Sequence, residues 1–440
     1  MRRAAVAIVA TAVAARLVYG RGTLGYDAAW ALVWGNELFD GPALDAPGAP
    51  TPHPLAILVS AVIAPLGEAG IEVVLALSWL AFGAAGWFAF RLGAVLYSPW
   101  VGGLFAALLL TRPLLVLEAG QAVIDIPFLA LVLAAMTAEA RNPRTGYAVP
   151  VLLGLAGLLR PEAWLLAVAW AAWARRPSAA IALAAPLLWI AFDLAATGDP
   201  LHSLHGTQAL AAELERPREL ETALRTTPSY LRAALTEPVI WLGLAGCALA
   251  ITRLQERTLL PAAVAGLGLL AFLVLGATGL PLLSRYLLLP AAMLTLWCAV
   301  AALGFTVAGG AVWRVAAAVS LAVLAFGLPG LRHELRRVDA IVDGRAEVEQ
   351  GFTGVLTAAA VQAELRRCDG LSVPDDRPYP LARLLVEAPI TIRGAGAPTN
   401  YATAEARAVY RIGPAPAPGL PSGSRPLAAT PTTVAGSCAR

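Results

Sequence analysis

The chain has 440 residues, of which 58% are hydrophobic and 14% charged. Soluble domains carry about 25% charged residues, so an ordinary soluble enzyme is excluded and a polytopic membrane protein is implied. All 32 basic residues are Arg, and a net charge of +3 offers no case for a nucleic-acid partner.

A membrane-spanning helix needs about 20 mostly apolar residues. The apolar runs predict eleven spans, at 4–20, 70–90, 99–117, 122–140, 147–160, 162–174, 178–196, 237–252, 259–279, 285–304 and 310–329. The first run follows Met1-Arg2-Arg3 and lacks a small-residue cleavage site, so it reads as a retained helix. Between it and the second span lies a long connector, 21–53. Its stretch Asp27–Phe39 has apolar residues near helical spacing and is expected to lie along the membrane surface. The run 54–66, after His53-Pro54, is too short to span and reads as a re-entrant or interfacial helix. Only Arg160-Pro161-Glu162 separates the spans 147–160 and 162–174, so a single broken hairpin is the other reading there. A second long connector, 197–236, opens with TGDPLHSLHGT and continues as a charged helical segment that Pro and charge keep out of the membrane.

Residues 1–330 hold all twelve Trp but only 37 of the 61 charged side chains, and the last 110 residues hold the other 24. A transmembrane domain over 1–330 and a polar region over 331–440 follow. The polar region begins with a charged helix near 332–366, has a strand candidate at 408–412, and reads as a small α+β or irregular module. Arg2, Arg3, Arg91, Arg141, Arg144, Arg175, Arg176, Arg253, Arg257 and Arg314 fall on one side of the eleven-span arrangement. Asp27, Glu37, Asp40 and Asp45 fall on the other. The positive-inside rule then places the N-terminus in the cytoplasm and the C-terminal region outside, in a plasma or inner membrane. Cys247 and Cys298 sit in apolar runs as small hydrophobes. Cys368 and Cys438, in an oxidising compartment, are expected to pair as a disulfide that pins the C-terminus.

Ionisable groups in or beside a span are costly, so each needs a reason. Asp27, at the outer end of the first span, can accept a proton from a hydroxyl or cap a surface helix beginning at Ala28. His53 can bond to a phosphate or a sugar, or cap the short helix that follows it. Glu118, Gln121 and Asp125 line the outward turn LEAGQAVIDIP, and the two acids, seven apart, share a helical face if Gly120 does not interrupt it. Arg160 and Glu162 pair with each other or with neighbouring spans. Arg285, in LLSRYLLLP, can clamp a lipid phosphate in bidentate fashion or snorkel to headgroups. His202 and His205 are a weak metal signal, and the chain has no phosphate loop, dinucleotide fingerprint or clustered Cys/His spacing.

An Asp in a long first outward loop, a Pro-rich stretch ending in His-Pro-Leu before a short apolar helix, then LLRPEAW, TGDPL and LLSRYLLLP, resemble the GT-C superfamily of membrane glycosyltransferases. The pattern is most similar to the branch of aminoarabinose and protein mannosyl transferases, over residues of about 10–305. The resemblance implies a GT-C-like all-α fold, a polyprenyl-phosphate-linked sugar as donor and a cell-envelope acceptor at the outer membrane face. By it Asp27 is the general base or orients the acceptor, His53 lies close to the donor, Arg285 holds the lipid phosphate, and Arg160 or Arg285 steadies the charge on the departing phosphate. Glu118, Asp125, Glu162, His202 and His205 are accessory candidates. Several relatives carry two adjacent acids where this chain has Asp27-Ala28, so no cofactor is assigned and a divalent metal stays open. A transporter or flippase, and a non-catalytic scaffold of the same fold, are the rival expectations.

Overall fold

The computed structural model describes residues 2–40, 51–213, 215–368, 371–373, 378–386, 390–392, 425–431 and 433–437. Ala and Leu, the strongest apolar helix formers, dominate the runs. Lipid cannot satisfy an open backbone, so such runs close their hydrogen bonds as helices. They form α1 (Arg2–Tyr19), α2 (Tyr26–Asp40), α3 (Pro54–Ile63), α4 (Glu68–Leu96), α5 (Pro99–Leu110), α6 (Pro113–Gly120), α7 (Asp125–Arg141), α8 (Ala148–Gly157) and α9 (Glu162–Ala174). There follow α10 (Ala179–Thr197), α11 (His202–Glu213), α12 (Leu220–Ala234), α13 (Glu237–Arg253), α14 (Gln255–Ala277) and α15 (Leu288–Leu303), the last preceded by a 3-10 turn at Ser284–Leu287. The chain then builds α16 (Ala311–Leu356), α17 (Ala359–Leu365), β1 (Leu371–Val373), α18 (Tyr379–Leu385), β2 (Ile390–Ile392), β3 (Pro426–Ala429) and β4 (Val434–Gly436). Five helices are long and apolar enough to cross a membrane, or up to seven if each bent pair is one span. The main body is that of an all-α, multi-pass membrane protein.

Helix α15 is the centre of the bundle: 94% of its span is buried, against 17% for the apolar part of α16. A helix apolar all round belongs in the core, and α5, α13, α14 and α16 pack around α15. Val312, Val315, Val319 and Phe326 of α16 face outward instead, as a lipid-facing surface does. Two spans are broken. The α5–α6 pair bends by 61° at Thr111-Arg112-Pro113, because the residue before a proline avoids helical backbone. Arg112 is buried there. Its Nε donates to the carbonyl of Leu108 at 2.7 Å, and a terminal nitrogen donates to the Thr236 hydroxyl at 3.2 Å. The open carbonyls at the C-terminus of α5 thus meet a cation, the charge that end of a helix favours. Thr236 marks the second break, where α12 and α13 meet at 109°. At 10 and 13 residues, α8 and α9 are each too short to cross alone.

The change in composition at 330 is not a break in the chain. Helix α16 runs 46 residues through Pro329, leaving the apolar bundle as one rod whose far half carries the polar surface. Composition records where lipid gives way to water, and a helix can pass that boundary unbroken. Beyond it, Phe352, Val355 and Leu356 join Val361, Leu371, Val373 and Ala435 in a small second core. β1 pairs in parallel with β2, and β3 antiparallel with β4. Cys368 is disulfide-bonded, while Cys247 and Cys298 are free thiols. Cys438, Asp45 and the strand candidate at 408–412 lie outside the described residues.

Helix α2 departs from expectation. Instead of resting on lipid, it is enclosed: Trp30 and Trp34 are 1% and 2% exposed. One side meets α3, where Gly35 approaches Ser60 and Ala61, and the other meets α18, whose Tyr379 ring lies 5.6 Å from that of Trp30. Arg383 of α18 also pairs with Glu37 at 2.5 Å. An aromatic-rich amphipathic helix suits a protein groove as well as a lipid surface, and its pattern does not distinguish the two.

Candidate functional site

Residues 21–25 cross the turn that follows α6. The Thr23 amide donates to the Gly120 carbonyl at 2.7 Å, and the Gly25 amide to the Gln121 carbonyl at 2.9 Å. The crossing is close enough to require glycine: a Cβ on Gly22 would lie 2.7 Å from the Gly120 oxygen, and Gly22 has φ +88°. Helix α2 starts at once from this crossing, as the Ala29 amide donates to the Gly25 carbonyl. It begins at Tyr26, so Asp27 lies inside the first turn and not at the cap before Ala28. A carboxylate is favoured there by the helix dipole, and its side chain is turned to Arg285, with Oδ2 3.5 Å from a terminal guanidinium nitrogen.

Arg285 sits in the 3-10 turn before α15 and gathers three carboxylates. Besides Asp27 it lies 3.9 Å from Glu118 and 4.0 Å from Asp125. The two acids do not share one helical face, as the seven-residue spacing suggested. Glu118 is near the end of α6 and Asp125 opens α7, and a tight turn through Ala122 at φ +53° folds them toward the same cation. Arg160, at the apex between α8 and α9, joins from the other side. It bonds Asp125 with one terminal nitrogen and holds both oxygens of Glu162 through Nε at 3.1 and 3.2 Å. Tyr286 lies under it, with the Arg160 guanidinium 4.5 Å from the ring centre.

Four carboxylates and two guanidiniums, from five separate stretches of chain, thus form one group. Arg160 is held tightly. Arg285 is held more loosely: beside its neighbour Tyr286, its three ion pairs all exceed the 2.7–2.9 Å or so of a charge-assisted hydrogen bond. The Arg285 Nε and Asp125 Oδ2 are both buried without a hydrogen-bond partner.

His53 precedes α3 and makes no side-chain capping bond, so it is not there to cap. Its ring stands edge-on to Trp189 of α10 at 5.6 Å, and Nδ1 is buried and unpartnered. Burial pushes its pKa down to about 4, with Asp27, Arg160, Arg285 and Glu162 acting on it through space. A histidine with a depressed pKa stabilises the fold above its unfolded value of about 6.5, and that stability drains away as the pH falls toward 4. Thermal midpoints in detergent are therefore expected to fall between pH 6.5 and 4 in the wild type and to fall less in His53→Gln. Identical profiles would refute the burial argument.

His202 and His205 do not join this group. His205 Nδ1 pairs with Asp199 at 2.7 Å, and Asp193 accepts the amide and hydroxyl of Ser203, both at 2.9 Å. Their region reaches the site through Trp189, whose indole nitrogen donates to Ser203, and through Thr207, whose hydroxyl meets that of Thr51 at 2.5 Å. Among the described residues no three His, Cys, Asp or Glu side chains gather as they would around a metal ion. Each carboxylate of the Arg285 group faces a guanidinium instead, which is not a donor set for a divalent cation.

Tyr286 and Trp189 carried no sequence signal of their own, although Tyr286 adjoins Arg285 in SRY. Glu349, which bonds to residues 21–24, had none at all. No family model and no curated protein sequence matches the chain.

Proposed function

We propose that the protein is a GT-C-like membrane glycosyltransferase that moves a sugar from a polyprenyl-phosphate donor to a cell-envelope acceptor on the extracytoplasmic face. The N-terminus is then cytoplasmic and the 331–440 region extracytoplasmic, the sides that the arginine-rich connectors favour. One observation carries the reading: Asp27 meets Arg285 at 3.5 Å at the ends of apolar helices, with His53 within electrostatic reach of both. A carboxylate and a loosely paired guanidinium at the membrane boundary suit transfer from a lipid-linked anion.

In the proposed step the acceptor hydroxyl attacks the anomeric carbon while its proton passes to an Asp27 carboxylate oxygen. The bond between that carbon and the phosphate oxygen breaks, and polyprenyl phosphate departs with the electron pair. Arg285 turns from Asp27 to the phosphate and steadies the departing charge. Attack opposite the leaving group inverts the anomeric configuration. Neutral His53 offers a hydrogen bond, not a charge. Arg160, already committed to Asp125 and Glu162, positions the acids and does not bind phosphate.

The group holds two more carboxylates than guanidiniums, and because intramembrane carboxylates also serve as proton relays, a second reading is proton-coupled transport of a lipid-linked substrate. The two are separated by purified protein in liposomes supplied with a panel of radiolabelled polyprenyl-phosphate pentoses and hexoses and envelope extract. Transfer is expected in the wild type, falling about 100- to 10,000-fold in Asp27→Asn. Equal transfer by both would remove Asp27 from the chemistry, and movement of donor across the bilayer without transfer would establish transport.

A further inference from the structure

The far half of α16 lies well beyond the apolar bundle in sequence, yet it returns to the site's supports. Its residues Val342, Arg345 and Glu349, three and four apart, share one face. That face lies where residues 21–25 cross the turn after α6. Glu349 is buried on an otherwise polar stretch. One of its oxygens accepts from Arg21 at 3.0 Å, and the other accepts from the Thr23 hydroxyl at 2.7 Å and the Leu24 amide at 2.5 Å. Burying a carboxylate is costly, and three donors on two oxygens offset that cost. One turn back, Arg345 donates to the side-chain oxygen of Gln121, and Val342 packs on Gly120, where an added Cβ would come within 3.1 Å of it.

The two segments held in this way are the ones that carry the acids around Arg285. Residues 21–25 lead directly into Asp27, while Gly120-Gln121 lies between Glu118 and Asp125. All three carboxylates lie within 4.0 Å of Arg285. A helix surface that only covered the bundle would not need a buried acid aimed at three residues of one loop, Arg21, Thr23 and Leu24.

We infer that Glu349 is a positioning residue: through the face Val342–Arg345–Glu349, α16 fixes the two crossing segments and sets the carboxylates around Arg285. This rests on the transferase reading for its catalytic consequence, while the placement itself does not. The polar region is then part of the machinery that makes Asp27 competent, and does more than cover it.

The test uses the purified full chain, with Glu349→Gln, Glu349→Asp and the exposed neighbour Glu347→Gln as control. Asp27, about a third exposed in its side chain, is labelled with a carbodiimide and an amine and followed by mass spectrometry. Amide exchange of residues 23–25 is measured in parallel. Glu349→Gln is expected to speed both by about tenfold. It should lower the kcat for sugar transfer by about tenfold or more with the donor KM nearly unchanged, because misplacement acts on the chemical step. Glu349→Asp should restore part of each, and Glu347→Gln should match the wild type. Unchanged labelling and exchange in Glu349→Gln would overturn the inference whatever the transfer assay gives. Faster labelling with undiminished transfer would overturn its catalytic half. Wild-type protein that transfers no sugar from any donor would end the transferase reading, and labelling and exchange would still decide whether Glu349 places Asp27.

Discussion

Arg160→Met is expected to destabilise the protein by about 3–5 kcal/mol, the cost of removing one partner from a buried ionic group. The side chains of Arg160, Asp125 and Glu162 are 7%, 1% and 7% exposed, so water cannot compensate the two acids left behind. The loss is not one of packing. Met is close in length, and the Arg160 guanidinium contributes little beyond its contacts with Tyr286 at 4.5 Å and Phe128 at 5.7 Å. Replacing the whole group should therefore recover what replacing one member loses. The triple variant Arg160→Met, Asp125→Leu, Glu162→Leu is expected to return to within about 1 kcal/mol of the wild type, since apolar residues of similar volume often match a buried ion pair. Arg160→Lys should rescue little, because a single ammonium cannot hold Glu162 with one edge and Asp125 with another. Unfolding midpoints in detergent check the series. An Arg160→Met variant as stable as the wild type would mean that the acids are not held by this cation.

The sequence made the members of this group visible for one physical reason. An ionisable side chain in an apolar run is expensive, so Glu118, Asp125, Arg160, Glu162 and Arg285 stand out wherever they end in space. The Arg160–Glu162 pair was legible, two residues apart around Pro161, but the contacts between distant stretches were not. Asp125 and Arg160 are 35 residues apart, and their contact is made by the packing of α7 against α8, not by any local spacing. The helical runs were legible because lipid leaves the backbone no alternative, but the bend at Arg112-Pro113 falls inside the run 99–117, which reads as one unbroken span. Glu349 was hidden for the opposite reason. It lies among Arg345, Glu347 and Gln350, where another acid looks like solvated surface, and only the return of α16 to the 21–25 loop makes it a buried one. Helix α2 was recognised as amphipathic, but its partner, α18, lies about 340 residues further on. Two histidines three apart drew attention in sequence; His205 pairs with Asp199 in the local turn, while His202 Nε2 is buried without a hydrogen-bond partner.

Arg285→Met is expected to lower kcat/KM for sugar transfer by about 100- to 1,000-fold, the usual cost of losing one donor to a departing anion. The loss should divide between the two constants in an informative way. A guanidinium that merely holds the donor would raise KM alone, whereas one that meets the phosphate as it departs lowers kcat. Its long contacts with Asp27, Glu118 and Asp125, 3.5 to 4.0 Å, favour the second, because a loosely held cation can turn toward charge as it develops. Arg285→Lys should recover less than a tenth of the wild-type rate or so, since an ammonium lacks the two-pronged geometry that matches a phosphate. Removing Arg285 also leaves three carboxylates facing one another, so a fall in rate could come from a disturbed fold. A double-mutant cycle with Asp27→Asn separates the two causes. Base and clamp that act in one step are a unit, and the double variant should then lose hardly more activity than Asp27→Asn alone. Additive losses with a common drop in unfolding midpoint would instead make Arg285 a structural counter-ion, and the departing phosphate would need another partner.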